Sequence, residues 1–253
     1  MNAQNVPTEL SVRAWSAVEG KCTGALLYGS WARQDAQFHS DLDLLILNWS
    51  GLVPKPGPKI SVSRYSSAKL LSSNRTLFGM HLSRDSVIFH DPYGDLGAIL
   101  DSFEPPDPID LLSRIKKYSM VLDVAEDDLK QYLPGLTQVA RYLLRTAIYA
   151  LALQQGNPCF SLKELAERFE TPEYHVILSS HAEIYPSPTS EVFNDLVVRL
   201  QKVLGVLPSN PFGSLHGLIV GMSSTERDVS NLGTFALGSD ESLPYDEIER
   251  IVL

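Results

Sequence analysis

Two short apolar runs, residues 25–28 (ALLY) and 41–47 (DLDLLIL), bracket a polar stretch that opens on Gly29-Ser30. Each run is bounded by turn or polar residues and is too short for an ordinary helix, so both read as strands. The second is apolar nearly throughout and is therefore a strand buried on both faces, except at its acidic start. The first ends at Gly29, where the chain must turn sharply.

The polar residues at these strand ends carry the chemistry. Residues two apart in a strand point to the same face, so Asp41 and Asp43 present both carboxylates together. Two adjacent carboxylates repel, and a hard divalent cation with oxygen ligands is the usual compensation. Mg²⁺ holding nucleotide phosphates fits best. Gly29 lets the backbone approach closely, and the amides and hydroxyl at Ser30 face a phosphate at a helix N-terminus. Arg33 lies one turn on, placed to contact a triphosphate. Alone, a Gly-Ser pair is usually a turn and an Asp-x-Asp a solvated strand end. Their combination, with ten residues between Ser30 and Asp41 and apolar strands on both sides, is far more specific.

This segment resembles the GS-x(10)-D-x-D signature of the DNA polymerase β nucleotidyltransferase superfamily, above all its minimal bacterial members. Gly29, Ser30, Asp41 and Asp43 carry the resemblance. It extends less sharply through residues 60–100, where 78–85 (FGMHLSRD) and 87–91 (VIFHD) look like the family's later helix and strand. The resemblance implies an α+β fold: an N-terminal mixed sheet with flanking helices, followed by an all-α helical bundle. It also implies transfer of a nucleoside monophosphate from a nucleoside triphosphate to an acceptor hydroxyl, with release of pyrophosphate. Asp41 and Asp43 would hold two Mg²⁺ ions, and Gly29, Ser30 and Arg33 the phosphates. Active members have a third carboxylate on the next strand. Here that strand is residues 60–65 (ISVSRY), which has no acid. Ser61 aligns with the missing residue, and Ser63 is the other inward candidate. Either Asp85 or Asp91 reaches the site instead, or the acceptor brings its own ligand, or the domain binds nucleotide with little turnover.

Elsewhere the pattern is helical. Residues 9–19, 66–79, 109–124, 136–155, 161–169 and 190–204 space their apolar side chains at helical intervals or begin at helix caps, while 86–90 reads as a further strand. The Pro-rich 51–59 is a loop, and Glu104-Pro-Pro-Asp-Pro108 a boundary. The expected organisation is a nucleotidyltransferase domain over 1–104, a helical domain over 108–206 and a C-terminal tail over 207–253, where periodicity is weak. Tyr142 and Tyr149 read as core. Arg141 and Arg145 read as a solvated helix face, with a phosphate clamp as the alternative. His81 and Arg84 read as a helix-end or surface pair that also stands near the site.

Charge bears on the acceptor. The formal net charge is −9, with 9 basic and 11 acidic residues before Pro108 and 12 and 19 from there on. Long nucleic acid needs clustered Lys and Arg, so a protein or small-molecule acceptor is favoured over it. The helical half is similar to the all-α domains that follow this fold in small bacterial transferases, and loosely to HEPN toxins, although no Arg here is followed five positions later by His. The resemblance thus implies a setting such as a toxin–antitoxin pair or antiphage defence, with a partner protein encoded nearby. No apolar run approaches the roughly 20 residues of a membrane span and the start lacks a secretory pattern, so a cytoplasmic protein is expected. Cys22 and Cys159 stand far apart in no metal spacing and read as reduced core thiols.

Overall fold

The computed structural model describes residues 6–36, 40–51, 57–179, 184 and 186–238. Part of the Pro-rich loop (52–56), the stretch 37–39 and the chain end from 239 lie outside the described residues. The protein is α+β, and its chain divides into two compact units, Met1–Pro106 and Asp107–Leu253.

The first unit holds the sheet. Helix α1 (Thr8–Val18) leads into β1 (Gly24–Tyr28), then the single turn α2 (Ser30–Arg33), β2 (Leu42–Leu47) and β3 (Ile60–Tyr65). Helices α3 (Ser67–Leu71) and α4 (Leu77–Asp85) follow, then β4 (Val87–His90) and α5 (Asp95–Asp101). The strand order is β3-β2-β1-β4, with β1 antiparallel to both β2 and β4 and β2 parallel to β3. The run 66–79, read from sequence as one helix, is broken at residues 72–76. Thr76 caps a new helix there by accepting from the Gly79 amide at 3.0 Å.

The apolar runs of β1 and β2 are buried because both sheet faces are covered. Leu26, Tyr28, Leu45, Leu47 and Tyr65 pack with Leu70, Phe78, Leu82, Leu96 and Leu100 from α3, α4 and α5. Leu27, Leu42, Leu44 and Ile60 pack with Ala14 of α1 on the other face, where Ala25 and Ile46 meet Ala17 and Val18. Alternation therefore sends Asp43 towards the α4 face, in line with Tyr28 and Leu45.

The second unit is helical: α6 (Pro108–Tyr118), a 3₁₀ turn (Ser119–Leu122), α7 (Glu126–Gln154), α8 (Leu162–Arg168), α9 (Tyr174–Ile177), α10 (Ser190–Leu204), α11 (Leu215–Met222) and α12 (Arg227–Leu237). Asp107 caps α6, accepting from the Ile109 amide at 2.7 Å, with Pro108 at the first helical position. Helix α7 is the hub, packed by α6, α10 and α12. It bends at Tyr132, two residues before Pro134, whose ring and missing N–H break the ladder. Past Leu207, where sequence periodicity is weak, the chain forms α11 and α12, so the described part of the expected tail belongs to this unit.

Two sequence readings on α7 part company. Tyr142 and Tyr149 are buried as core residues. Arg141 and Arg145 are not a solvated face: each is 5% exposed and donates to a carbonyl, Arg141 to Ile177 at 2.9 Å and Arg145 to Leu178 at 3.3 Å. Both arginines satisfy the C-terminal end of α9, whose last carbonyls have no partner within the helix. Cys22 and Cys159 are both free thiols, Cys22 half-buried and Cys159 buried. Burial pushes the Cys159 thiol up to about 11, which keeps it an inert thiol.

Candidate functional site

The C-terminal end of β1 and the N-terminal ends of β2 and β3 meet at one edge of the α4 face. Tyr28 stands opposite Asp43 across the antiparallel pair, and Asp43 stands opposite Ser61 across the parallel pair. These three side chains thus form a row on one face, with neighbouring strands about 4.8 Å apart. Asp43 is half-buried, while Asp41, one residue before β2 begins, is exposed.

The Gly-Ser turn and the Asp-x-Asp strand touch at one point. Gly29 has φ 74° and ψ −154°, a conformation open essentially to glycine alone. A Cβ built there would lie 2.8 Å from Asp43 Oδ2. The carboxylate therefore rests against bare backbone, in space that no other residue leaves open. From this turn α2 starts, with the Gly29 carbonyl accepting from the Arg33 amide at 3.1 Å. Trp31 fastens α2 to the incoming strand, its indole N–H donating to the Ser40 carbonyl at 3.2 Å, one residue before Asp41.

Arg33 is brought to the turn but also to α4. Its Nε donates to Asp35 Oδ2 at 3.3 Å, its Nη1 donates to His81 Nε2 at 3.0 Å, and Nη1 lies 3.9 Å from Asp85 Oδ2. A guanidinium only donates, so His81 Nε2 accepts and a neutral ring carries its proton on Nδ1. Burial first, then the charges of Arg33 and Arg84, pull the His81 pKa down to about 3. His81 is therefore a neutral acceptor at physiological pH. Its ring meets Tyr28 edge-on at 6.1 Å, and the Tyr28 hydroxyl pairs with Ser63 Oγ at 3.3 Å. Sequence spacing marked His81 and Arg84 only as neighbours of the site and gave no sign of the Arg33 link, which joins residues 48 apart.

The two acids considered for the missing carboxylate separate cleanly. Asp91 follows β4, whose His90 pairs with Ala25 at the start of β1, so it sits at the opposite end of the sheet from Gly29. Its carboxylate caps α5, accepting from the amides of Leu96 at 3.2 Å and Gly97 at 2.8 Å. Asp91 is thus a helix cap and not a third site acid. Asp85 is at the right end, but its side chain is 8% exposed and engaged by Arg84 at 3.5 Å and Arg33 at 3.9 Å. It neutralises guanidinium charge instead of facing a ligand.

Among the described residues no three His, Cys, Asp or Glu side chains converge as a metal-ligand set. Asp41 and Asp43 offer two carboxylates, the complement Mg²⁺ uses when nucleotide phosphates and water complete its shell. Such a pair would fit only a cation that arrives with a phosphate ligand to complete its shell. Among the described residues, no helix is long and apolar enough to cross a membrane. Compared with known proteins, the chain matches no family model and no curated relative.

Proposed function

We propose that the first unit is a nucleotidyltransferase domain of the DNA polymerase β type, transferring a nucleoside monophosphate from a Mg²⁺-bound nucleoside triphosphate to an acceptor hydroxyl. The observation that carries this reading is the contact of the Asp43 carboxylate with Gly29, which joins the two halves of the sequence signature. The strand arrangement supports it too: β1 antiparallel to β2, β2 parallel to β3, and Ser61 in register with Asp43 where the third acid was expected. The acidic balance favours a protein or small-molecule acceptor, in a setting such as a toxin–antitoxin pair or antiphage defence.

When bound, Mg²⁺ neutralises phosphate charge and orients the triphosphate. Asp41 and Asp43 would hold the cation, and the backbone at Gly29-Ser30 would receive the phosphates at close range. The Ser30 hydroxyl is a further donor to them. Arg33 adds positive potential beside the turn while remaining tied to Asp35, His81 and Asp85. The acceptor oxygen attacks the α-phosphorus, the bond to the β-phosphate oxygen breaks, and pyrophosphate leaves. With Ser61 in the third position, no side chain of β3 can take the hydroxyl proton as a carboxylate would, so the proton passes to solvent.

That same residue supports a second reading, a nucleotide- or partner-binding module with little turnover. One experiment separates the two. The protein is incubated with each radiolabelled nucleoside triphosphate and Mg²⁺, with and without cell lysate. Label transfer to protein, RNA or small molecules, abolished by Asp41→Ala and by Asp43→Ala, is expected of the transferase. Saturable nucleotide binding without transfer or pyrophosphate release would establish the binding module.

A further inference from the structure

At the other end of β2 and β3 lies an open cavity of about 460 Å³, lined by Asn48, Trp49, Arg64, Tyr65 and Ser66. It is set apart from the signature row: from the Asp43–Ser61 pair to the Leu47–Tyr65 pair is four residues, or roughly 13 Å of strand. No acid lines it. Trp49 and Arg64, the latter opposite Ile46, belong to the α1 face of the sheet, whereas the Tyr65 ring packs on the α4 face.

These walls are held in place by other parts of the fold. The Trp49 indole N–H donates to the Gly51 carbonyl. Tyr65 stacks on Phe78 at 5.7 Å. Asn48 is clamped by Ser67, accepting its amide at 3.0 Å and donating to its hydroxyl at 2.9 Å. Ser66 Oγ accepts from the Lys69 amide at 3.2 Å, which leaves its O–H to donate outward. One Asn48 amide hydrogen is left over in the same way. Arg64 is exposed, and its side chain makes no hydrogen bond or ion pair among the described residues. Two ammonium groups stand close to the rings, Lys21 at 5.8 Å from Trp49 and Lys69 at 5.3 Å from Tyr65. An exposed guanidinium on the same sheet face as the Trp49 ring, with no acid among the described lining residues, is what a ligand of opposite character would match.

We propose that this cavity is a second ligand site, for a planar aromatic ring bearing a phosphate or carboxylate. The ring packs on Trp49, and the anion is met by the Arg64 guanidinium with the Ser66 hydroxyl, in the geometry that makes Arg the usual partner of such groups. The site is independent of the nucleotidyltransferase reading, because it shares no residue with the Gly29-Ser30 turn or with Asp41 and Asp43.

The test uses the full chain carrying Asp43→Asn, in Mg²⁺-free buffer with chelator, so that metal-dependent binding at the signature site does not contribute. Adenosine 5′-monophosphate and benzoate represent the two sources of the anion, and adenosine and inorganic phosphate each lack one half of the chemistry. Binding is followed by calorimetry and by tryptophan fluorescence. Saturable binding of at least one aromatic anion is expected, at least tenfold tighter than adenosine or phosphate. Trp49→Phe should remove the fluorescence response, and Arg64→Gln should weaken binding at least tenfold with an unchanged melting temperature. No saturable binding of either anion up to roughly 1 mM, an affinity near −4 kcal/mol, overturns the proposal. So does binding that Trp49→Phe and Arg64→Gln leave intact.

Discussion

Replacing Gly29 by alanine tests the central contact of the site. Two separable penalties apply. The backbone at φ 74° and ψ −154° lies in a region that L-residues occupy only under strain, costing about 2 kcal/mol. The new methyl would also stand 2.8 Å from Asp43 Oδ2, so the carboxylate must retreat by about half an ångström to reach ordinary contact. Gly20 provides the comparison, because its φ is +68° but nothing lies within 4 Å of a Cβ there. Gly20→Ala should therefore cost about 1 kcal/mol, the left-handed penalty alone, and Gly29→Ala about 3 kcal/mol. For a domain of about 100 residues that larger loss lowers the melting temperature by more than 10 °C. All three tryptophans, Trp15, Trp31 and Trp49, fall in the first unit, so indole fluorescence during urea unfolding reports on that unit. In an Asp43→Ala background the Gly29→Ala penalty should shrink by about 1 kcal/mol, the coupling expected of two groups in contact. A Gly29→Ala loss no larger than that of Gly20→Ala, or one untouched by Asp43→Ala, would refute the packing of the turn against the strand.

Four further outcomes follow from the same geometry. Because burial holds folded His81 near 3 while an exposed imidazole titrates near 6.5, the unfolded chain takes up a proton that the folded chain refuses. Stability is then full above about pH 6.5 and falls towards pH 3, by about 1.4 kcal/mol between pH 7.5 and 5.5; urea midpoints across this range should flatten in His81→Gln. Asp91→Ala should cost about 1 kcal/mol through the lost α5 cap and leave any label transfer unchanged, whereas a loss of transfer in a folded variant would return Asp91 to the site. Arg145→Met should destabilise the second unit by about 2 kcal/mol in chemical denaturation, since Leu178 loses a buried donor. Ser61→Asp should lower stability without Mg²⁺ by about 1 kcal/mol, through repulsion with Asp43, regain it with Mg²⁺, and raise label transfer at least tenfold; a variant indifferent to Mg²⁺ would show that residue 61 does not face the carboxylates.

Much of the first unit was legible because strand signals here are strong and local. The run 41–47 is apolar on both faces, and a two-faced strand requires cover on both sides, which α1 and the α3–α5 group supply. The alternation of 60–65 fixed Ser61 and Ser63 as inward, and the register puts Ser61 opposite Asp43. Helix 190–204 was read to its ends, because Thr189 caps it by accepting from the Val192 amide at 3.2 Å and Gly205 closes it. What failed had a physical reason in each case. The break at 72–76 is a run of turns followed by a Thr cap, invisible to apolar periodicity alone. Arg141 and Arg145, four apart, look like any charged helix face until the carbonyls at the end of α9 are brought to them, which only tertiary packing can do.

The site divides along the same line. Spacing along one chain segment locates Asp41, Asp43, Gly29 and Ser30, because a strand, a turn and a strand leave few ways to connect them. Spacing does not tell whether a charged residue inside that segment is available to a ligand. Arg33 sits at the expected position, but its electrostatics are set by Asp35, His81 and Asp85, two of them on α4. A guanidinium held by two carboxylates exerts less net field at the turn than a free one, yet it is more rigid. If the transferase reading holds, the phosphates are therefore received chiefly by backbone amides and cation, with Arg33 fixing α2 against α4. The acid that the family pattern places on β3 has no substitute in Asp85, because moving that carboxylate into the site would strip Arg33 and Arg84 of their counter-charge. Whatever turnover this domain has must then come from Asp41 and Asp43 and from the acceptor itself.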